Sequence, residues 1–212
     1  MRFVVELCKA LDELQQSCDG FRLTMGVGVV FAKPTIPIHR LHEVAESLVS
    51  SAKRRFRGSS HEQWGSVVDW AVYTTTWVAD LEEVRTRDWL RGSEGAACVL
   101  SRRPMRVLGD GLDSLQGLVQ AAGGLKNAPR SQLRHLVDQL PRGKALSELA
   151  FQELSLKACE GLKAVGISEI WTPGDREGSF LTSVLDLVDV FEIYRLGHTA
   201  PRSELAEDNI VF

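Results

Sequence analysis

Between residues 21 and 57 the hydrophobic period changes from two to about 3.6 across a pair of prolines, and this change constrains the fold of the 212-residue chain more than any other feature. Residues 23–31 alternate: Leu23, Met25, Val27, Val29 and Phe31 lie on one side of an extended strand, and Thr24, Gly26, Gly28 and Val30 on the other. One side is apolar; the other is nearly bare. Glycine weakens a strand through entropy and missing contacts, so two on one face predict that a ligand or another backbone comes close there. After Pro34 and Pro37, Leu41, Val44, Ala45, Leu48, Val49, Ala52 and Phe56 form a stripe at helical spacing, and Lys53, Arg54, Arg55 and Arg57 end that helix. A second apolar run, Ser66 to Thr76 (SVVDWAVYTTT), follows a polar linker, RGSSHEQWG. The pattern predicts strand 22–32, helix 38–56 and strand 66–76 in β-α-β order.

On either side of this unit the spacing is helical. Val4, Leu7, Cys8, Leu11, Leu14 and Cys18 predict a helix over 2–18, stopped by Asp19-Gly20. Segments 78–91, 112–122, 130–140, 145–165 and 180–190 have the same period, separated by Gly, Pro and Ser clusters. Short extended pieces are expected at 105–108 and 169–171, and a polar, loosely held end from His198 to Phe212. The expected class is α/β (α+β), with residues 1–76 forming an α/β unit and residues 77–212 a mainly helical domain whose boundary lies near the loop 92–97.

A net charge of −3 gives no global attraction to nucleic acid, so any such contact would need a local patch. The cysteines, at 8, 18, 98 and 159, have no CxxC spacing and predict neither a zinc site nor a disulfide framework. Glu6, Lys9, Asp12 and Glu13 interrupt the N-terminal apolar run, which excludes a signal-peptide reading, and no stretch is apolar enough to span a bilayer. A cytoplasmic protein is the expectation.

The strand GVGVVFA, the proline turn, the helix LHEVAESLVSSAKRR and the strand SVVDWAVYTTT together resemble the second half of the palm domain in the large subunit of type III CRISPR effector complexes and its stand-alone relatives. More distantly they resemble the last third of the diguanylate cyclase domain. The runs LSRRPMRVLGDGLDSLQGLV, PRSQLRHLVDQLPRG and FLTSVLDLVDVFEIY are similar to the helical region that follows this palm. The resemblance implies a partial ferredoxin-like palm followed by an α-helical domain. For the intact family it implies a nucleotidyltransferase or cyclase of antiviral defence, in which Mg or Mn ions join nucleoside triphosphates into cyclic oligonucleotides. It also implies effector-complex subunits or guide RNA as partners. Lys53, in Ala52-Lys53, matches the helix-end lysine that contacts the triphosphate, and Thr24, Gly26 and Gly28 would form the face on which the nucleotide lies. The family's metal-binding hairpin, with two glycines and two acidic residues, precedes the first helix and has no counterpart here. Catalysis by this chain alone is therefore not expected, and the alternative function is a non-catalytic, degenerate palm used as a scaffold or interaction module. Palm strands left unpaired would expose edges open to self-association.

Each of these residues also has a plainer reading. A lysine and arginines at a helix C-terminus complement the macrodipole, and strand glycines can simply admit a packed helix. His39, His42 and Glu46 share one helix face but lack the HExxH arrangement. Gly143-Lys144 is not a phosphate loop, because Asp138 occupies the position of the first glycine. Asp110 lacks flanking alternating strands, and Asp113-Ser114 is expected to cap the next helix. Asp69 is expected on a solvated or hydrogen-bonded strand face. Asp186 and Asp189, at i and i+3, repel each other, which disfavours a shared site unless a cation or basic partner is near, and both are expected to be solvated.

Overall fold

A computed structural model describes residues 1–16, 23–58, 65–73, 83, 85, 89–93, 96–174 and 177–199. Helix α1 (Arg2–Gln16) opens the chain and is followed by strand β1 (Gly26–Ala32), helix α2 (Ile38–Arg57) and strand β2 (Val67–Tyr73). β1 and β2 pair in parallel, from Gly26 opposite Val67 to Ala32 opposite Tyr73. The expected β-α-β order is thus present, and parity sorts the side chains of β1 as the alternation requires. Met25, Val27 and Val29 pack on the main core, whereas Val30 joins Val44, Leu48 and Ala71 beneath α2.

The C-terminal part completes this sheet. Strand β5 (Met105–Arg106) pairs antiparallel with β2, giving the order β1-β2-β5. The loop expected at 92–97 contains parts of two strands, β3 (Leu90–Ser93) and β4 (Ala96–Val99), which pair antiparallel. The extended piece expected at 169–171 forms slightly later, as β6 (Thr172–Pro173), which pairs with β7 (Ser179–Leu181). These strands make a second sheet of order β3-β4-β7-β6. Strands this short carry too few alternations to be distinguished from a loop by pattern.

Five helices follow: α3 (Leu115–Gly124), α4 (Arg130–Gln139), α5 (Lys144–Gln152), α6 (Leu156–Ala164) and α7 (Val184–Thr199). The single helix expected over 145–165 is two. Ser155 breaks it, because its hydroxyl accepts from Ala158 N at 3.4 Å as an N-cap, while its own N–H and O–H are held by Gln132 Oε1 at 3.0 and 2.8 Å. The predicted cap before α3 is supplied by Ser114, which accepts from Gly117 N. The segment expected as helix 78–91 and residues 17, 18 and 200–212 lie largely or wholly outside the described residues.

One hydrophobic cluster joins Val4, Val5 and Cys8 of α1, Val68 and Trp70 of β2, Leu118 and Ala122 of α3, and Leu187 and Phe191 of α7. The boundary expected between residues 76 and 77 falls outside the described residues, and the core draws on both sides of it. The architecture is mixed α/β. Among the described residues no helix is long and apolar enough to cross a membrane.

Candidate functional site

The bare face of β1 is not open. A Cβ built on Gly28 would lie 2.6 Å from the Ala45 carbonyl oxygen and 2.9 Å from Val49 N, and one on Gly26 would lie 2.9 Å from Lys53 Cγ. These glycines exist so that the backbone of α2 can come down onto the strand. The expectation of a strand face free to receive a base or ribose is corrected accordingly: with α2 seated there, the face bearing Gly26 and Gly28 is filled by protein. Thr24, of the same parity, precedes β1 and is half-buried. The structure does bring Lys53 to Gly26, but through its methylene stem; the residue is exposed and makes no ion pair with a described residue.

Among the described residues of this sheet's strands, Asp69 is the one carboxylate, and it is engaged. Asp69 is wholly buried and paired with Arg85, which in turn donates to Ser51 Oγ at 2.8 Å. That is the hydrogen-bonded strand role, and it leaves Asp69 as a partner of an arginine. Among the described residues no three His, Cys, Asp or Glu side chains converge as a ligand set. His42 Nδ1 lies 3.8 Å from Glu46, with both side chains about 70% exposed (72% and 71%).

Two other features stand out. The first is the outer edge of β1. Val67 N donates to Met25 O at 2.8 Å, and in a parallel pair alternate residues bond to the same neighbour. The backbone groups of Val27 and Val29 therefore face β2, and those of Gly26, Gly28 and Val30 face outward, where β1 has no strand partner among the described residues. Every residue of β1 is half-exposed, whereas Val67 to Ala71 of β2 are buried. Helix α1 presents Phe3, Leu7, Ala10 and Leu14 on one stripe, with Phe3 76%, Leu7 42% and Leu14 65% exposed. Gln15 ties the end of α1 to the segment that enters β1, donating to Leu23 O at 2.8 Å and accepting from Leu23 N at 2.7 Å; Leu23 is itself 48% exposed. The edge strand has no charge and no proline, the devices that normally discourage strand addition.

The second feature is a buried cationic centre that pattern reasoning missed. Arg103 Nε lies 2.8 Å from Asp186 Oδ1, and its Nη2 lies 3.0 Å from Asp189 Oδ2. Its guanidinium sits between the rings of Trp70 and Trp89, at 4.7 and 4.4 Å from their centroids. Asp186 also accepts from Ser101 Oγ and Arg102 N, each at 2.7 Å. The expectation of solvation is overturned for Asp186, which is fully buried beside a basic partner 83 residues away in sequence, whereas Asp189 pairs with the same arginine but keeps 25% of its side chain exposed. A signal was available: two carboxylates in the apolar run VLDLVDVF must face either water or a cation.

Burial pushes both carboxyls above the usual carboxylate range, with Arg103 pulling each back and the Asp186 charge raising Asp189 further. A folded-state pKa above the unfolded one means that the contribution of these groups is fully present below the unfolded value, about 4, and is lost as pH rises through the folded value. Asp189→Asn should therefore gain stability relative to the parent as the pH of urea unfolding is raised from about 4 to about 7. A shift the other way would mean that Arg103 dominates over burial at Asp189.

No family model, curated protein or solved structure matches the chain.

Proposed function

We propose that the chain is a non-catalytic interaction module built on a partial palm, which docks to a partner protein through the outer edge of β1 and the exposed stripe of α1. The observation that carries this reading is the uncharged outer edge of β1, without a strand partner among the described residues, in a chain that also exposes Phe3, Leu7 and Leu14 on α1. Strand addition supplies affinity through main-chain hydrogen bonds, and an apolar stripe at 3-4 spacing receives a helix. The occupant is a strand with an associated amphipathic helix, contributed by another chain. The resemblance to palm domains supports it, because a palm places strand and helix side by side. The antiviral-complex setting belongs to the same proposal and rests on the resemblance alone. No catalytic step is assigned, because the glycine face is occupied by α2 and Asp69 is taken by Arg85.

Without its partner, the chain should associate with itself at high concentration in light scattering. The amides of Val27 and Val29 should be protected in hydrogen exchange in every state, and those of Gly26, Gly28 and Val30 only in the associated one. The double substitution Phe3→Glu, Leu7→Glu should abolish association while changing stability little, since both side chains are exposed. A monomer at all concentrations with every β1 amide protected would overturn the reading.

A further inference from the structure

Ring contacts link four side chains in a row: Trp70, Arg103, Trp89 and Arg85. The Arg103 guanidinium carbon lies 4.7 Å from the Trp70 centroid and 4.4 Å from that of Trp89, and the Arg85 guanidinium carbon lies 4.8 Å from Trp89 as well. Each cation has its own counter-charge. Arg103 takes Asp186 and Asp189 of α7, whereas Arg85 takes Asp69 of β2 and donates to the Ser51 hydroxyl of α2. Trp89 is the ring that both cations touch.

The Asp69–Arg85 pair is incomplete. A guanidinium facing a carboxylate can form two parallel hydrogen bonds. Arg85 makes one, from Nη2 to Asp69 Oδ1, while Asp69 Oδ2 and Arg85 Nε are both buried without a partner. Leaving two buried polar atoms unpaired is unfavourable, so other contacts must hold the guanidinium out of the fork. Arg85 has two of these, the Trp89 ring and the Ser51 hydroxyl, which accepts from Nη1 at 2.8 Å. A ring contact and a hydrogen bond together are of the same order as the cost of the orphaned atoms.

From this balance we infer that the Asp69–Arg85 pair is a two-position switch set by Trp89. With the ring held against Arg103 the pair makes one bond; with the ring released, Arg85 turns off Trp89 and closes the second bond, from Nε to Oδ2. Coupling between distant parts of a protein needs an element with two discrete arrangements, and this pair supplies it. The state of Arg103, set by α7, thereby reaches Ser51 on α2, the helix seated on Gly26 and Gly28. The switch uses neither the outer edge of β1 nor the stripe of α1 and would stand if the docking reading failed.

Side-chain NMR of the full chain tests it, with the Arg85 Nε–H signal assigned by its loss in Arg85→Lys. In Trp89→Leu that signal should move downfield and acquire a coupling across the new hydrogen bond to the Asp69 carboxyl carbon. Trp89→Phe, which keeps a ring face, should leave Arg85 as in the parent. Asp189→Asn removes one carboxylate from Arg103 without touching Arg85; it should shift the Arg85 signal in the same direction by less, and should add nothing in the Trp89→Leu background. Thermal melts report whether each variant folds, and the Asp189→Asn and Trp89→Phe results carry the test if Trp89→Leu does not. A coupling to Asp69 already present in the parent would show a forked pair and overturn the proposal. An Arg85 signal indifferent to Asp189→Asn would overturn it too, as would an equal response with Trp89 replaced by Leu.

Discussion

Arg103→Ala should destabilise the protein by about 3–5 kcal/mol, the range for removing one partner of a buried ion pair. The arginine side chain is 2% exposed and Asp186 is fully buried, so the substitution leaves a carboxylate without its cation in a place water does not reach. It also removes a hydrogen bond to Trp70 O at 3.3 Å and the body that separates two indole rings. The loss comes mostly from the orphaned charge, and a compensated variant isolates that term. Arg103→Met combined with Asp186→Asn and Asp189→Asn should lose much less than Arg103→Met alone, because no unpaired charge remains. Urea unfolding of the three proteins decides the matter. Equal losses would mean that packing between Trp70 and Trp89, rather than charge, holds the centre.

Gly28→Ala should cost about 1–3 kcal/mol, the usual range for forcing a methyl group into a filled site. The obstacle is backbone: the new Cβ would stand 2.6 Å from Ala45 O and 2.9 Å from Val49 N, so α2 must lift from the strand as a unit. At Gly123, inside α3, an added Cβ meets nothing within 4 Å. The same substitution there should stabilise by about 0.4–1 kcal/mol through helix propensity and reduced unfolded-state freedom. The opposite signs at two glycines separate close packing from general loss of flexibility. Had the face of Gly28 been an open ligand surface, Ala would be tolerated; a neutral Gly28→Ala in thermal unfolding would restore that interpretation.

The β-α-β unit was legible because its information is local. Alternation at residues 23–31 and the stripe from Val44 to Ala52 each set a face from neighbouring residues alone. Helices α3, α4 and α7 were legible for the same reason. The split between α5 and α6 was not, since it depends on Gln132, on another helix, holding Ser155. Strands β3 to β7 were legible only in fragments, because two to four residues carry almost no period and β4, β5 and β7 each pair with a strand distant in the chain.

By itself the sequence determined which residues form the parallel pair, which side of β1 is apolar, and that something must come close to Gly26 and Gly28. It did not determine what comes close. A glycine face admits a ligand and a helix equally well, and only the placement of α2 on the strand decided for the helix. The sequence also showed that Asp186 and Asp189 need either water or a cation, but the choice of Arg103 required β2, β5 and α7 to be brought together around it. Desolvation is the physical reason in both cases. How much water a group keeps is a property of everything packed around it, and for these residues most of that packing comes from segments far away along the chain.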